Sequence, residues 1–170
     1  IDWDSTLQFR NPLLGLGFGI AEAMDTSQRG MGLDWKKAQE LIKLSLKSAG
    51  KQAHRIASGC GTDHLAPEDA RSLDDVVRAY LEQLHTIQKM NGRVILMASR
   101  ALVRVAKSPD DYLKVYSRVL AEADHPVILH WLGNMFDPQL DGYCGSNDFS
   151  SAMESCLTMI EQNADHIDGI

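Results

Sequence analysis

Five short apolar runs, residues 18–23, 55–59, 94–98, 127–131 and 166–170, show almost no polar alternation, and a stretch of helical period separates each from the next. A strand that is apolar at successive positions must be covered on both faces, and the usual setting for that is a parallel sheet. The runs start about 33 to 39 residues apart, room for one strand, a crossover helix and two loops.

The intervening stretches can be counted out. Leu73, Val76, Val77, Tyr80, Leu81, Leu84 and Ile87 recur at the spacing of one helical face. Tyr112, Val115, Tyr116, Val119 and Leu120 do the same, as do Phe149, Ala152, Met153, Cys156, Leu157 and Ile160. Start signals agree: Ser72 and Ser108 each precede a carboxylate three residues on, Asp75 and Asp111, and Pro109 stands at a first helical position. Asp34 is placed to cap a helix over 35–49, and a further helix is expected over about 4–16, with Pro12 disturbing its course.

The order is therefore a helix, four strand–helix pairs and a final strand. Right-handed crossovers wind such an order into a parallel sheet, either doubly wound or closed as a barrel. The even spacing, and the lack of a Gly-rich phosphate fingerprint after the first strand, favour a (β/α)8 TIM barrel. Residues 1–170 then form a single domain, the central portion of a barrel with about five parallel strands and five helices. The chain starts without Met, and its last run stops at the carboxyl end of a strand, so the sequence reads as a segment of a longer protein. Open apolar edges predict poor behaviour in isolation.

Composition narrows the partners. A net charge of −6 and scattered basic residues argue against a nucleic-acid surface. No apolar run approaches the roughly 18 to 20 residues that span a bilayer, and a cytoplasmic location is expected. Cys60, Cys144 and Cys156 are odd in number, far apart and without CxxC spacing, which fits reduced thiols.

Polar residues gather where the strands end, the face on which a barrel does its chemistry. Residues 22–30 follow the first strand, 58–64 the second, Ser99 and Arg100 the third, and His130, Asn134 and Asp137 the fourth. Asp25, Thr26 and Ser27 either cap a turn or cradle an anion. His130 is either a packed core histidine or a site residue at a strand's carboxyl end. Glu22 lies inside an apolar strand and needs a partner: Arg29, Arg100, a metal or a substrate. Cys60, between two glycines, reads as structural because no neighbour in sequence activates it. The loop over 137–145 is a long βα connection of the kind that builds an active face.

These strand ends resemble the dihydrodipicolinate synthase and N-acetylneuraminate lyase superfamily of Schiff-base aldolases, over nearly the whole chain. That superfamily's strand, Gly-Thr-Thr-Gly-Glu and helix start are similar to Asp25-Thr26-Ser27-Gln28-Arg29 followed by Leu33-Asp34. Its Ala-Gly-Thr-Gly turn resembles Ser58-Gly59-Cys60-Gly61, and its Pro-Val-Ile-Leu-Tyr-Asn strand resembles residues 126–131, with His130 at the tyrosine. Its Gly-Ile-Lys strand resembles Gly169-Ile170, which puts the imine lysine one residue further on. The stretches 22–35 and 95–100 look closer to an uncharacterised, dihydrodipicolinate-synthase-like group of bacterial proteins.

The resemblance implies a carbon–carbon lyase acting on a keto acid or sugar-derived acid, without a cofactor, often as a homo-oligomer, and inactive as this segment alone. It implies that Thr26 and Ser27 bind the keto-acid carboxylate, and that His130 shuttles protons, as an imidazole titrating near neutral pH can. Two departures stand out. Gln28 and Arg29 replace the Gly-Glu, and Ala98-Ser99-Arg100 lacks the expected tyrosine, leaving Arg100 as an anion-binding candidate. A second reading keeps the barrel and gives it a divalent metal held by Glu22, Asp63 and His130. A third makes it a non-catalytic binding barrel.

Overall fold

The computed structural model describes residues 1–25 and 28–170. It is a mixed α/β structure in which five parallel strands, β1 (Ile20–Glu22), β2 (Ile56–Cys60), β3 (Arg93–Leu96), β4 (Val127–Leu129) and β5 (Ile167–Gly169), form one sheet in the order β1-β2-β3-β4-β5. The order never reverses, unlike that of a doubly wound sheet. Each strand pairs with the strand before it, for example Ile20 with Ile56 and Ile95 with Ile128. All five apolar runs are strands, each trimmed or shifted by a residue or two. β4 closes at Leu129, so His130 and Trp131 lie just past the strand. The His130 amide still donates to the Leu96 carbonyl, at 2.9 Å.

The crossovers are α3 (Trp35–Ala49), α4 (Leu73–Lys89), α6 (Pro109–Leu120) and α7 (Phe149–Gln162). Two differences from the sequence expectation have local causes. The helix expected over 4–16 is split into α1 (Trp3–Gln8) and α2 (Arg10–Gly15). Pro12 cannot donate to the carbonyl four residues back, that of Gln8, and its ring crowds that oxygen. A short α5 (Arg100–Val105) precedes α6, capped by Ser99, whose Oγ accepts from the Leu102 amide at 3.0 Å. The expected caps form at Asp34, which accepts from the Lys37 amide at 2.8 Å, and at Ser72, which accepts from the Asp75 amide at 3.3 Å. Ser108 makes no such bond; there Asp111 alone reaches back, to the Lys107 amide at 2.9 Å.

Right-handed crossovers that always step the same way deliver their helices to one face of the sheet, and α4 packs on α6 and α6 on α7. The main core fills the space between: Ile42, Tyr80, Leu84, Val115 and Leu120 from the helices meet Ile56, Cys60, Leu96 and Leu129 from the strands. Burial of this apolar surface, at about 25 cal/mol per Å², is what holds the layers together. Ala57, Ile95 and Met97 are also buried yet lie outside that cluster, and mark the sheet's other face. Gly59 is required there, because a Cβ would stand 2.6 Å from the Ala23 carbonyl oxygen and 2.8 Å from the Met97 sulfur. Among the described residues no helix is long and apolar enough to cross a membrane.

Candidate functional site

The carboxyl ends of β1 to β4 open into a cavity of about 820 Å³. Its walls come from the loops after all four strands, including Asp25 and Arg29, Thr62 to His64, Arg100 and Asp137. The convergence of polar clusters expected from the sequence therefore takes place, but the residues pair in ways the sequence did not disclose.

Glu22 is the main correction. It is fully buried, and its carboxylate turns to the helix layer. Arg10 grips it with Nε and Nη2, the latter at 2.7 Å. Ser45 of α3 donates to Oε2 at 2.6 Å, and the Ala23 amide donates to Oε1 at 3.1 Å. Its partner is thus Arg10, not Arg29 or Arg100. With both oxygens engaged behind the sheet, Glu22 is not available to join Asp63 and His130 around a metal ion. No group of three or more His, Cys, Asp or Glu residues able to hold a metal exists among the described residues.

Arg29 anchors the front. It is buried, with its guanidinium 4.8 Å from the centre of the Trp35 ring. Nη1 donates to Asp63 Oδ1 and to Gln83 Oε1, both at 2.7 Å, and Nη2 donates to the Gly59 carbonyl at 2.8 Å. Nε has no partner. Gln83, fully buried on α4, closes the network: Oε1 also accepts from the Gly61 amide at 2.8 Å, and Nε2 donates to Asp63 at 2.9 Å and to His64 Nδ1 at 2.8 Å. Two obligatory donors on Oε1 fix the amide's orientation, so His64 Nδ1 must be the acceptor and the proton of the neutral ring sits on Nε2.

Sequence reasoning missed Gln83, although it left a trace. Position 83 lies seven residues after Val76 and four before Ile87 on the apolar face of α4, where a polar side chain needs a reason. Arg10 also left a trace, since the buried carboxylate at position 22 demanded a cation.

The other predicted residues sit as follows. His130 Nδ1 is 3.5 Å from Asp25 Oδ2 and has no hydrogen-bond partner among the described residues. The side chains are 31% and 24% exposed, so the pair stands at the edge of the interior, and Asp25 itself lines the cavity. A carboxylate beside one imidazole nitrogen orients the ring and leaves the other nitrogen for proton transfer. Arg100 lines the cavity and donates from Nε to Asp137 Oδ2 at 2.6 Å, while its Nη groups have no protein acceptor among the described residues. Asp137 is further held by the Gln139 amide at 3.1 Å. Thr26 and Ser27 lie outside the described residues.

The bland expectation for Cys60 fits the structure. Cys60 is fully buried and its thiol bonds the Tyr80 carbonyl at 3.5 Å; burial pushes its pKa up to about 12, the opposite of activation. Thr62 is occupied by Ser99, hydroxyl to hydroxyl at 2.6 Å. Ala23, fully buried between Glu22 and the cavity, has a φ of 55°, a left-handed conformation costly for a residue with a Cβ. Strain of this kind collects at functional sites.

Residues 1–170 match the model of the family described as Protein of unknown function (DUF993), and the chain belongs to that family. No curated protein matches it.

Proposed function

We propose that this DUF993 chain forms the central part of a (β/α)8 barrel and that the cavity at its strand ends is the substrate site of a Schiff-base aldolase or lyase acting on a keto acid or sugar-derived acid. The observation that carries the reading is the approach of His130 to Asp25. Their strands, β4 and β1, are three places apart, roughly 14 Å in a flat sheet, yet the side chains meet at 3.5 Å. A sheet that curls towards closure supports both the barrel and a shared mouth. The resemblance at residues 25–29, 58–61, 126–131 and 169–170 points to the same class.

In this reading the imine lysine stands at the carboxyl end of β5, next after Ile170. Its amine adds to the keto carbon and water leaves, giving an imine. When the carbon–carbon bond breaks, the electron pair flows to the imine nitrogen and leaves an enamine. His130 takes the hydroxyl proton of the departing carbonyl fragment, Asp25 holds the ring, and Arg100 binds the substrate's anionic group. A general base so placed contributes typically 10²- to 10⁴-fold.

The test is borohydride reduction of the full-length protein with pyruvate and a panel of keto acids, read by intact mass and peptide mapping. A covalent adduct on a lysine at the end of β5 is expected. Absence of an adduct with every keto acid would overturn the imine.

A further inference from the structure

We infer that the ligand of this cavity is an anionic acid with an apolar body, rather than a polyhydroxylated sugar acid. The inference rests on the cavity being the substrate site, and it narrows the substrate class.

It follows from which lining groups remain free to bind. A site for a polyol acid must hold out donors and acceptors for several hydroxyls, since recognition of each depends on a dedicated polar partner. Here most of the polar side chains among the described lining residues are already engaged with one another. Arg29 is bound to Asp63, Gln83 and the Gly59 carbonyl. His64 is held by Gln83, and Thr62 by Ser99. Asp34 is taken by the Lys37 amide and Nζ, and Asp137 by Arg100 and the Gln139 amide. Asp25 lies against His130. The side-chain donors left over among the described lining residues are mainly cationic: the Nη groups of Arg100, the Nε of Arg29 and Lys36, with the Trp35 indole N–H the neutral one. A guanidinium fixed through Nε by a buried carboxylate presents its Nη edge in a set direction, the geometry suited to a carboxylate.

The rest of the wall is apolar. Met31, Leu33, Trp35, Leu132, Phe136 and Leu140 all line the cavity. Met31 and Phe136 stand 79% and 69% exposed, a large apolar surface at a polar mouth, which marks a binding surface. A cationic anchor and an apolar rim fit a carboxylate head with a hydrocarbon or aromatic body.

Titration calorimetry on the full-length protein tests this without requiring turnover. The probes are pyruvate, the straight-chain series from 2-oxobutanoate to 2-oxooctanoate, and 2-keto-3-deoxygluconate, which has the same carbon chain length as 2-oxohexanoate but carries hydroxyls. Along the straight chain Kd is expected to fall about fourfold per buried methylene, with 2-oxohexanoate tighter than its hydroxylated counterpart. Phe136→Ser, a change at an exposed position, should flatten the series by weakening the longer acids more than pyruvate; Arg100→Gln should weaken every acid at least tenfold. A flat series, a tighter sugar acid, or no binding by any of these acids would overturn the inference. Its failure is separable from that of the lyase reading. A chain-length dependence without a borohydride adduct keeps the ligand class and removes the imine, and an adduct with a flat series does the reverse.

Discussion

Glu22 and Asp25 are two carboxylates three residues apart at the end of the same strand, and they face opposite worlds. Glu22 turns back into the dry layer between sheet and helices, where Arg10 and Ser45 saturate it. Asp25 turns forward to the mouth, where it lies against a half-exposed imidazole. Between them lies Ala23, in a left-handed conformation with a φ of 55°. The pair teaches that a carboxylate in an apolar strand is not by itself a site. What separates the two is where the carboxylate points: Glu22 is fully buried behind the sheet, and Asp25 is partly exposed and lines the cavity.

Substitutions in the full-length protein can break that contrast. The largest effect is expected for Glu22→Leu, which strands the Arg10 guanidinium in a desolvated layer and should cost about 3–5 kcal/mol in urea unfolding. A loss below about 1 kcal/mol would put Glu22 in the same category as Asp25. Gln83→Leu removes the partner of Arg29 and of the Gly61 amide at once, and about 2–3 kcal/mol is expected from unsatisfied buried donors. Asp25→Asn should cost less than about 1 kcal/mol, as a partly exposed pair, while slowing solvent-deuterium exchange at the carbon beside the keto group of bound pyruvate. If stability falls and exchange does not, Asp25 belongs with Glu22.

Two smaller effects sharpen the picture away from the mouth. Cys60, with its pKa raised by burial to about 12, should resist iodoacetamide at pH 8 until the protein is unfolded; labelling of the native state would contradict its burial. Asp75 caps α4, and hydrogen bonds from Ser72 and the Arg71 amide hold its pKa below the usual value. A depressed folded pKa gives stability that is present above the unfolded value and lost as pH falls through the folded one. The stability gap between the native protein and Asp75→Asn should therefore be full near neutral pH and close in acid; a gap independent of pH would assign it to packing.

Much of the fold was legible because the sheet is covered and its helices are one-sided. Apolar strand runs and helical stripes are local signals, and so are the caps at Asp34 and Ser72. What stayed hidden was mostly short or distant. α5 spans only six residues, too few to show a period. Arg10 meets Glu22 across a helix break, and Gln83 meets Arg29 from 54 positions away. At the site, the polar clusters were readable from their place at strand ends, but the pairing His130–Asp25 depends on how far the sheet curls, which no local pattern encodes.

The strand order has a consequence for synthesis. Because β1 to β5 pair strictly in sequence, each strand leaving the ribosome finds its neighbour already made, one βα unit behind. Each pairing still has to close a crossover of more than 30 residues, as from Ile20 to Ile56, so an apolar edge waits for a whole helix and strand before it is covered. The growing sheet is extended one βα unit at a time, with the mouth assembled progressively as Asp25, Asp63, Arg100 and finally Asp137 arrive.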